Sequence, residues 1–208
     1  MPAQQPFSDK FLKNVQKLVG MHHTIYPRLP PQGVFFEALV EKAFQISGWS
    51  KEEIVVTTPN SPTHDLMVGK TRLSIKSETG KATRQSKINI TKLCTTEKGY
   101  WTANALLEHT LNHIDRHDRM LMFRAIWKGK RFDHQLVEIP LDLLKRMRNA
   151  KFVQVGNRAG RRSIGGDVMV GGERAFHVHF DGADGKCQIQ RLLVSHCFIL
   201  REWIQPLE

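Results

Sequence analysis

Asp65, Ser74 and Lys76 are side chains whose types and spacing can do chemistry together. They lie in NSPTHDLMVGKTRLSIKSETGK, Asn60 to Lys81, which reads as two short strands meeting at a Gly69–Lys70 turn. Such a hairpin carries Asp65 on one strand and Lys76 on the next, and cross-strand neighbours on one face approach within roughly 5–8 Å. Ser74 and Lys76 alternate with Leu73 and Ile75, so both polar side chains leave the same face. A carboxylate, a hydroxyl and an ammonium then share one patch. Phosphodiester hydrolysis uses this set: the carboxylate holds a divalent cation, the cation polarises phosphate and acidifies water, and the lysine orients or activates that water. Mg²⁺ is the expected ion, hard and oxygen-seeking. The plainer alternative is an Asp65 that caps the turn after Pro62 and a Lys76 that faces solvent.

The elements that must position these residues follow from the pattern around them. A first helix is expected from Ser8 to Gly20, capped by Ser8, with Phe11, Val15 and Leu18 on one face. The prolines of GMHHTIYPRLPPQG predict an irregular arm. Gly33 opens VFFEALVEKAFQISGW, the clearest helix, with Phe36, Leu39, Val40, Ala43 and Phe44 on one face, Glu37 at its border and Glu41 nearly opposite. EEIVVTT is a short strand and NSPT a turn. TGKATRQSKINITK reads as a basic, polar segment, and residues from Thr102 to Asp118 as a second good helix. RMLMFRAIW and HQLVEIP are strands, and LDLLKRMRNA is a short helix behind Pro140. The C-terminal third is β-rich, with DVMV, AFHVHFDG and CQIQRLLV. This order predicts an α/β or α+β fold, a central mixed sheet flanked by helices. With 208 residues, one domain is expected: 1–32 a helix and irregular arm, 33–150 the core, 151–208 a β-rich completion.

Composition narrows the class. Hydrophobic residues make up 40% and charged residues 25%, an ordinary globular balance without a disorder signature. No apolar run approaches the roughly 18–20 residues a membrane span needs, and MPAQQPFSDKF lacks a basic-then-apolar leader, so a cytoplasmic protein is expected. Cys94, Cys187 and Cys197 have no CxxC spacing and read as thiols in a reducing compartment. Lys and Arg number 31 against 20 Asp and Glu, a net charge of +11 that favours a polyanionic partner. His109, His113 and His117 recur every four residues on the second helix. A pair at that spacing can bind Zn²⁺, but the outer two stand about 12 Å apart at the helical rise and cannot share one ion. His177 and His179 flank Val178 and share a strand face, which suits a metal, DNA or plain solvent.

The hairpin also resembles a known family. The PD-(D/E)xK nuclease superfamily, which includes most type II restriction endonucleases, carries an Asp, then on the adjacent strand an acidic residue, any residue and Lys. Asp65 matches the first position, Lys76 the last, and Ser74 replaces the second acidic residue. That departure resembles a restriction-enzyme subgroup that writes Ser-x-Lys and takes its missing carboxylate from a helix. FFEALVEKAF resembles that helix; Glu37 is the better candidate, Glu41 the second, and Glu78 requires the strand to bend after Lys76. HQLVEIPLDLL and FHVHFDGADGKCQIQRLLVSHCFILREW resemble later strands of such enzymes. The resemblance implies a restriction-endonuclease-like fold and Mg²⁺-dependent cleavage of double-stranded DNA at a short specific sequence. Asp65 and Glu37 would bind the metal, the Ile75 carbonyl would complete its shell, Lys76 would work on the water and Ser74 would support the site. A homodimer suits symmetric cutting of a palindrome, with a tetramer left open, and a cognate DNA methyltransferase would belong to the same system. Two alternatives stay beside this: a repair or junction nuclease of the same superfamily without fixed specificity, and a nucleic-acid-binding module without catalysis.

If Lys76 addresses the scissile phosphate, the segment after it runs along DNA. Lys81, Arg84, Lys87 and their neighbours would position phosphates, while Arg84, Gln85 and Asn89 could read base edges. KRMRNAK is a further basic cluster, and GNRAGRRSIGG reads as a glycine-flanked arginine loop in the β-rich part. Its Arg158, Arg161 and Arg162 are the favoured guanine readers, because arginine pairs bidentately with O6 and N7. A solvated face is the alternative for each cluster.

Overall fold

The structure, a computed structural model, describes residues 6–57, 65–96, 101–158 and 161–207, and the backbone alone of 157, 158 and 161. In chain order it holds α1 (Asp9–Ile25), α2 (Val34–Ser47), β1 (Ile54–Val56), β2 (Leu66–Val68), β3 (Thr71–Glu78), β4 (Lys87–Thr95), α3 (Ala103–Ile114), β5 (Arg119–Trp127), β6 (Arg131–Ile139), α4 (Leu141–Lys145), β7 (Val153–Arg158), β8 (Arg161–Val170), β9 (Glu173–Asp181), β10 (Lys186–Leu193) and β11 (Phe198–Pro206). The fold is α+β, with a strand-rich C-terminal region as expected. Contacts divide the chain into two units, Met1–Thr83 with His117–Ile139 and Phe198–Glu208, and Arg84–Arg116 with Pro140–Cys197.

The first unit is built on a mixed sheet in the order β1-β2-β3-β5-β6-β11, in which only β3 and β5 run parallel. Parallel neighbours need a crossover, and here it passes through β4 and α3 of the other unit. β5 is the central strand, and Met120 to Ile126 are all buried. α1 and α2 pack on the sheet through Phe11, Val15, Phe36, Val40 and Phe44, which meet Leu73, Ile75, Leu121 and Phe123 in one core. Phe11 stacks on Phe44 at 4.1 Å and Phe36 on Phe123 at 4.7 Å between ring centroids. Ser8 caps α1 as expected, its Oγ accepting the Phe11 N–H at 3.3 Å. The helix then runs past Gly20 to Ile25, into the stretch expected to be irregular. Met21 to Ile25 hold no proline; the break comes at Tyr26, where Pro27 disfavours helical backbone in the residue before it.

The second unit is an antiparallel sheet, β4-β10-β9-β8-β7, with α3, α4 and a 3₁₀ turn at Arg146–Asn149. Lys87–Thr95, read from sequence as a polar segment, is a strand because Ile88, Ile90, Leu93 and Cys94 find buried places. α3 starts at its Thr102 cap but ends at Ile114, short of the expected Asp118. Within GNRAGRRSIGG, expected to be a loop, the described residues are strands: Gly156–Arg158 belong to β7 and Arg161–Gly166 to β8, which pair from Val153↔Gly165 to Arg158↔Arg161. The glycines serve close approach. A Cβ on Gly165 would meet the His177 ring at 2.6 Å, and one on Gly166 the Phe152 ring at 3.0 Å.

Candidate active site

β2 and β3 form the expected hairpin, paired Leu66↔Leu73, Met67↔Arg72 and Val68↔Thr71. Gly69 has φ +59 and Lys70 does not share that region, the pattern of a two-residue turn with glycine first. A Cβ on Gly69 would also stand 3.1 Å from the Trp49 ring. Beyond the last strand pair, the Asp65 N–H donates to the Leu73 carbonyl at 3.0 Å, so the register carries Asp65 opposite Ser74. The Pro62–Thr63–His64 approach to Asp65 lies outside the described residues.

Three donors from β3 converge on one oxygen of Asp65. Its Oδ2 accepts the Ile75 N–H at 2.6 Å, the Lys76 ammonium at 3.1 Å and the Ser74 hydroxyl at 3.4 Å. Ser74 is fully buried, while the Asp65 and Lys76 side chains keep 27% and 21% of their surface, enough to meet a ligand from solvent. The N–H and C=O of one strand residue point to the same side, so the Ile75 carbonyl faces the side of Asp65. At its start β3 is tied to β5: Arg72 forks onto the Asp118 carboxylate at 2.7 and 3.1 Å.

Glu37 joins this cluster from the first turn of α2. Two contacts pin that turn: Phe36 stacks on Phe123 of β5, and the Gly33 N–H donates to Ser77 Oγ at 3.1 Å, one residue from Lys76. Burial pushes the Glu37 carboxyl above its ordinary range, the Asp65 charge pushes it further, and Lys76 pulls it back. The three charges therefore share one field. Glu41 accepts instead from Gln45 within its own helix at 2.9 Å. Glu78 is engaged by the fully buried Arg124, whose Nε lies 3.0 Å from its carboxylate. The Glu37 carboxyl thus feels the charges of Asp65 and Lys76, while Glu41 and Glu78 are engaged by Gln45 and Arg124.

This donor set fits Mg²⁺. Two carboxylates and a carbonyl are hard oxygen ligands, and the mutual repulsion of Asp65 and Glu37 is what a divalent cation would relieve. Among the described residues no three His, Cys, Asp or Glu side chains gather as a metal cage, here or elsewhere. The histidine series is broken: His109 and His113 are on α3, but His117 lies past its end, is buried and belongs to the other unit. His109 Nε2 is hydrogen-bonded to the Thr95 carbonyl at 2.9 Å.

The DNA-binding candidates do not form one group. Lys81 belongs to the first unit, in a basic hollow with Arg28 and Lys130 and 5.9 Å from the Trp127 ring centroid. Arg84, Gln85, Lys87 and Asn89 belong to the second; the first three are exposed, and Asn89 Oδ1 accepts the Arg191 N–H at 3.0 Å. Arg162 is exposed and donates to Gln154 at 3.1 Å, while the Trp101 indole donates to the Arg162 carbonyl at 2.5 Å. The Arg158 and Arg161 side chains lie outside the described residues. No described helix is long and apolar enough to cross a membrane.

A curated relative from Serratia marcescens, type II restriction enzyme SmaI, is 32% identical over 147 residues, which cover 69% of this chain and 60% of the relative. The chain thus spans less than two thirds of that relative's length. No solved structure matches it. The family model SmaI, described as type II site-specific deoxyribonuclease, matches residues 1–205. The chain belongs to the SmaI family of type II site-specific deoxyribonucleases.

Proposed function

We propose that this protein is a type II restriction endonuclease of the PD-(D/E)xK kind, which hydrolyses both strands of double-stranded DNA at a short specific sequence with Mg²⁺. The observation that carries the reading is the convergence of Ile75 N–H, Lys76 and Ser74 on one oxygen of Asp65, within the field of Glu37. Asp65 and Glu37, with the Ile75 carbonyl, would hold the ion. When bound, Mg²⁺ supplies charge against the phosphate and acidifies water.

The chain's own residues do the remainder. Donors on Oδ2 orient Asp65, and no described residue donates to Oδ1, which is left for the ligand. Lysine carries three donors, so Lys76 spends one on Asp65 and has two for the attacking water and a phosphoryl oxygen. Water adds across the P–O bond: its oxygen bonds phosphorus, and the ester oxygen leaves with a proton. Lys76 holds the nucleophile in line and offsets the charge that develops on phosphorus. Ser74 and the Phe36–Phe123 stack keep the carboxylates in place.

A homodimer would let two such sites cut a palindrome symmetrically, and a methyltransferase of the same specificity would protect host DNA in the cytoplasm. The test is incubation of purified protein with phage DNA in Mg²⁺ and in EDTA. Discrete fragments in Mg²⁺ alone are expected, with end-sequencing giving the site. A smear would overturn sequence specificity in favour of a repair-type nuclease, and intact DNA that shifts in both conditions would reduce the protein to a binding module.

A further inference from the structure

The second unit presents a sheet face that the hydrolytic cluster does not use. On β9 and β10, Phe176, Val178, Phe180, Cys187 and Ile189 are buried, and the residues between them look the other way. Cross-strand register sets these in two rows, Gln190 beside His177 beside Asp167, and Gln188 beside His179 beside Gly165. On β9 and β10 the face is therefore lined by amides and imidazoles. Its carboxylates are already engaged: Asp167 by His177 at 2.7 Å and Arg174, Asp181 by the N–H groups of its own turn.

One edge of this face is strained. β10 uses three steps from Ile189 to Leu192 while β4 uses two, from Ile90 to Ile88. The extra residue is taken up at Arg191, whose φ of 56 makes it the single non-glycine at positive φ among the described residues. The Asn89 amide on β4 holds its N–H at 3.0 Å. A bulge re-aims a side chain out of the strand alternation, and a left-handed arginine costs free energy that glycine would not. The chain thus carries a long cation where backbone geometry alone favours glycine. Arg191 is exposed and pairs with no carboxylate among the described residues.

We infer that this face, with Gln188, Gln190, His179 and the bulge residue Arg191, reads base edges of double-stranded DNA and sets the recognition sequence. The inference rests on the proposal that DNA is the substrate. Charge complementarity favours DNA over a protein partner: the second unit holds fifteen Lys and Arg against eight Asp and Glu, and β9 and β10 set hydrogen-bonding groups on the face. Glutamine pairs bidentately with adenine N6 and N7, and arginine with guanine O6 and N7, in a major groove that admits β-strands.

The test selects bound duplexes from a random-core pool at one salt concentration, using full-length protein in Ca²⁺, followed by sequencing. The wild type should enrich a short motif. Gln188→Ala, Arg191→Lys and Arg191→Gly should each weaken selection at one or two base pairs by about tenfold or more. Arg191→Gly should melt at or above the wild-type temperature, which separates loss of reading from loss of fold. Lys13→Ala, on the exposed Asp9 pair of α1, should keep the motif at full strength. Full enrichment of the wild-type motif by the Gln188 and Arg191 variants would overturn the inference, as would a wild type that selects nothing. Phage DNA left intact in Mg²⁺ would sink the nuclease proposal alone, because motif selection does not depend on cleavage.

Discussion

Two sets of residues in this chain look equally regular as sequence, and the fold treats them oppositely. Asp65, Ser74 and Lys76 converge on one carboxylate oxygen. His109, His113 and His117 scatter, because α3 ends before the third of them. His23 and His134, 111 residues apart in the chain, do meet, with ring nitrogens 3.1 Å apart. Regular spacing brings side chains together only while the element that defines it continues. A two-residue hairpin turn guarantees that continuity over a few residues; a helix that ends one residue after His113 does not.

The comparison breaks first at Asp65. Asp65→Ala should lower the DNA cleavage rate about a thousandfold or more, since a held metal supplies several kcal/mol to the transition state. Gel assays across a metal titration would show it, and near-wild-type cleavage would remove Asp65 from the site. Lys76→Ala should cost about 10²–10³-fold in single-turnover rate, the usual range for a donor aimed at developing charge. A smaller loss in rate with weaker DNA binding would make Lys76 a phosphate clamp instead.

Gly69→Ala tests the turn that joins them. Its φ of +59 and the Trp49 ring 3.1 Å from the new Cβ should destabilise the fold by about 1–2 kcal/mol, measured by urea unfolding. Cleavage should fall as well, because the turn sets the register of Asp65 against Lys76.

The His23–His134 pair makes a smaller, pH-dependent contribution. Burial first, then the neighbouring His23, push His134 down to about 3 from 6.5. Below pH 6.5 the unfolded chain takes up a proton that the folded one refuses, so this stability is complete above 6.5 and is lost progressively toward 3. The slope is at most about 1.4 kcal/mol per pH unit. Melting temperatures between pH 7.5 and 5 should fall less steeply for His134→Phe than for the wild type; parallel curves would refute the assignment. At the bottom of the scale, His109→Gln and His113→Gln should leave cleavage within about threefold and its rate unmoved by added Zn²⁺.

Local rules read well where one element contains its own reasons. Ser8 and Thr102 cap helices because a hydroxyl before an apolar run satisfies free N–H groups, and Gly69 turns a hairpin because φ is positive there. They failed where burial was decided elsewhere. Nothing within KINITKLCT says that Ile88 and Ile90 will be covered, and the arginine-rich stretch around Arg162 became strands through the pairing of β7 with β8 and of β8 with β9. Arg191 was invisible for a similar reason, since a bulge exists only relative to the neighbouring strand.

The sequence alone determined the Asp65–Lys76 hairpin, the helix of Glu37 and the basic charge, because alternation, helical period and charge are properties of nearby residues. The tertiary structure alone decided what holds the ranked glutamates in their places. Helical position already put Glu37 ahead of Glu41 and Glu78; the Phe36–Phe123 stack pins the first turn of α2, and the Arg124–Glu78 pair engages Glu78. Both contacts join positions far apart in the chain, and packing is what brings such positions together.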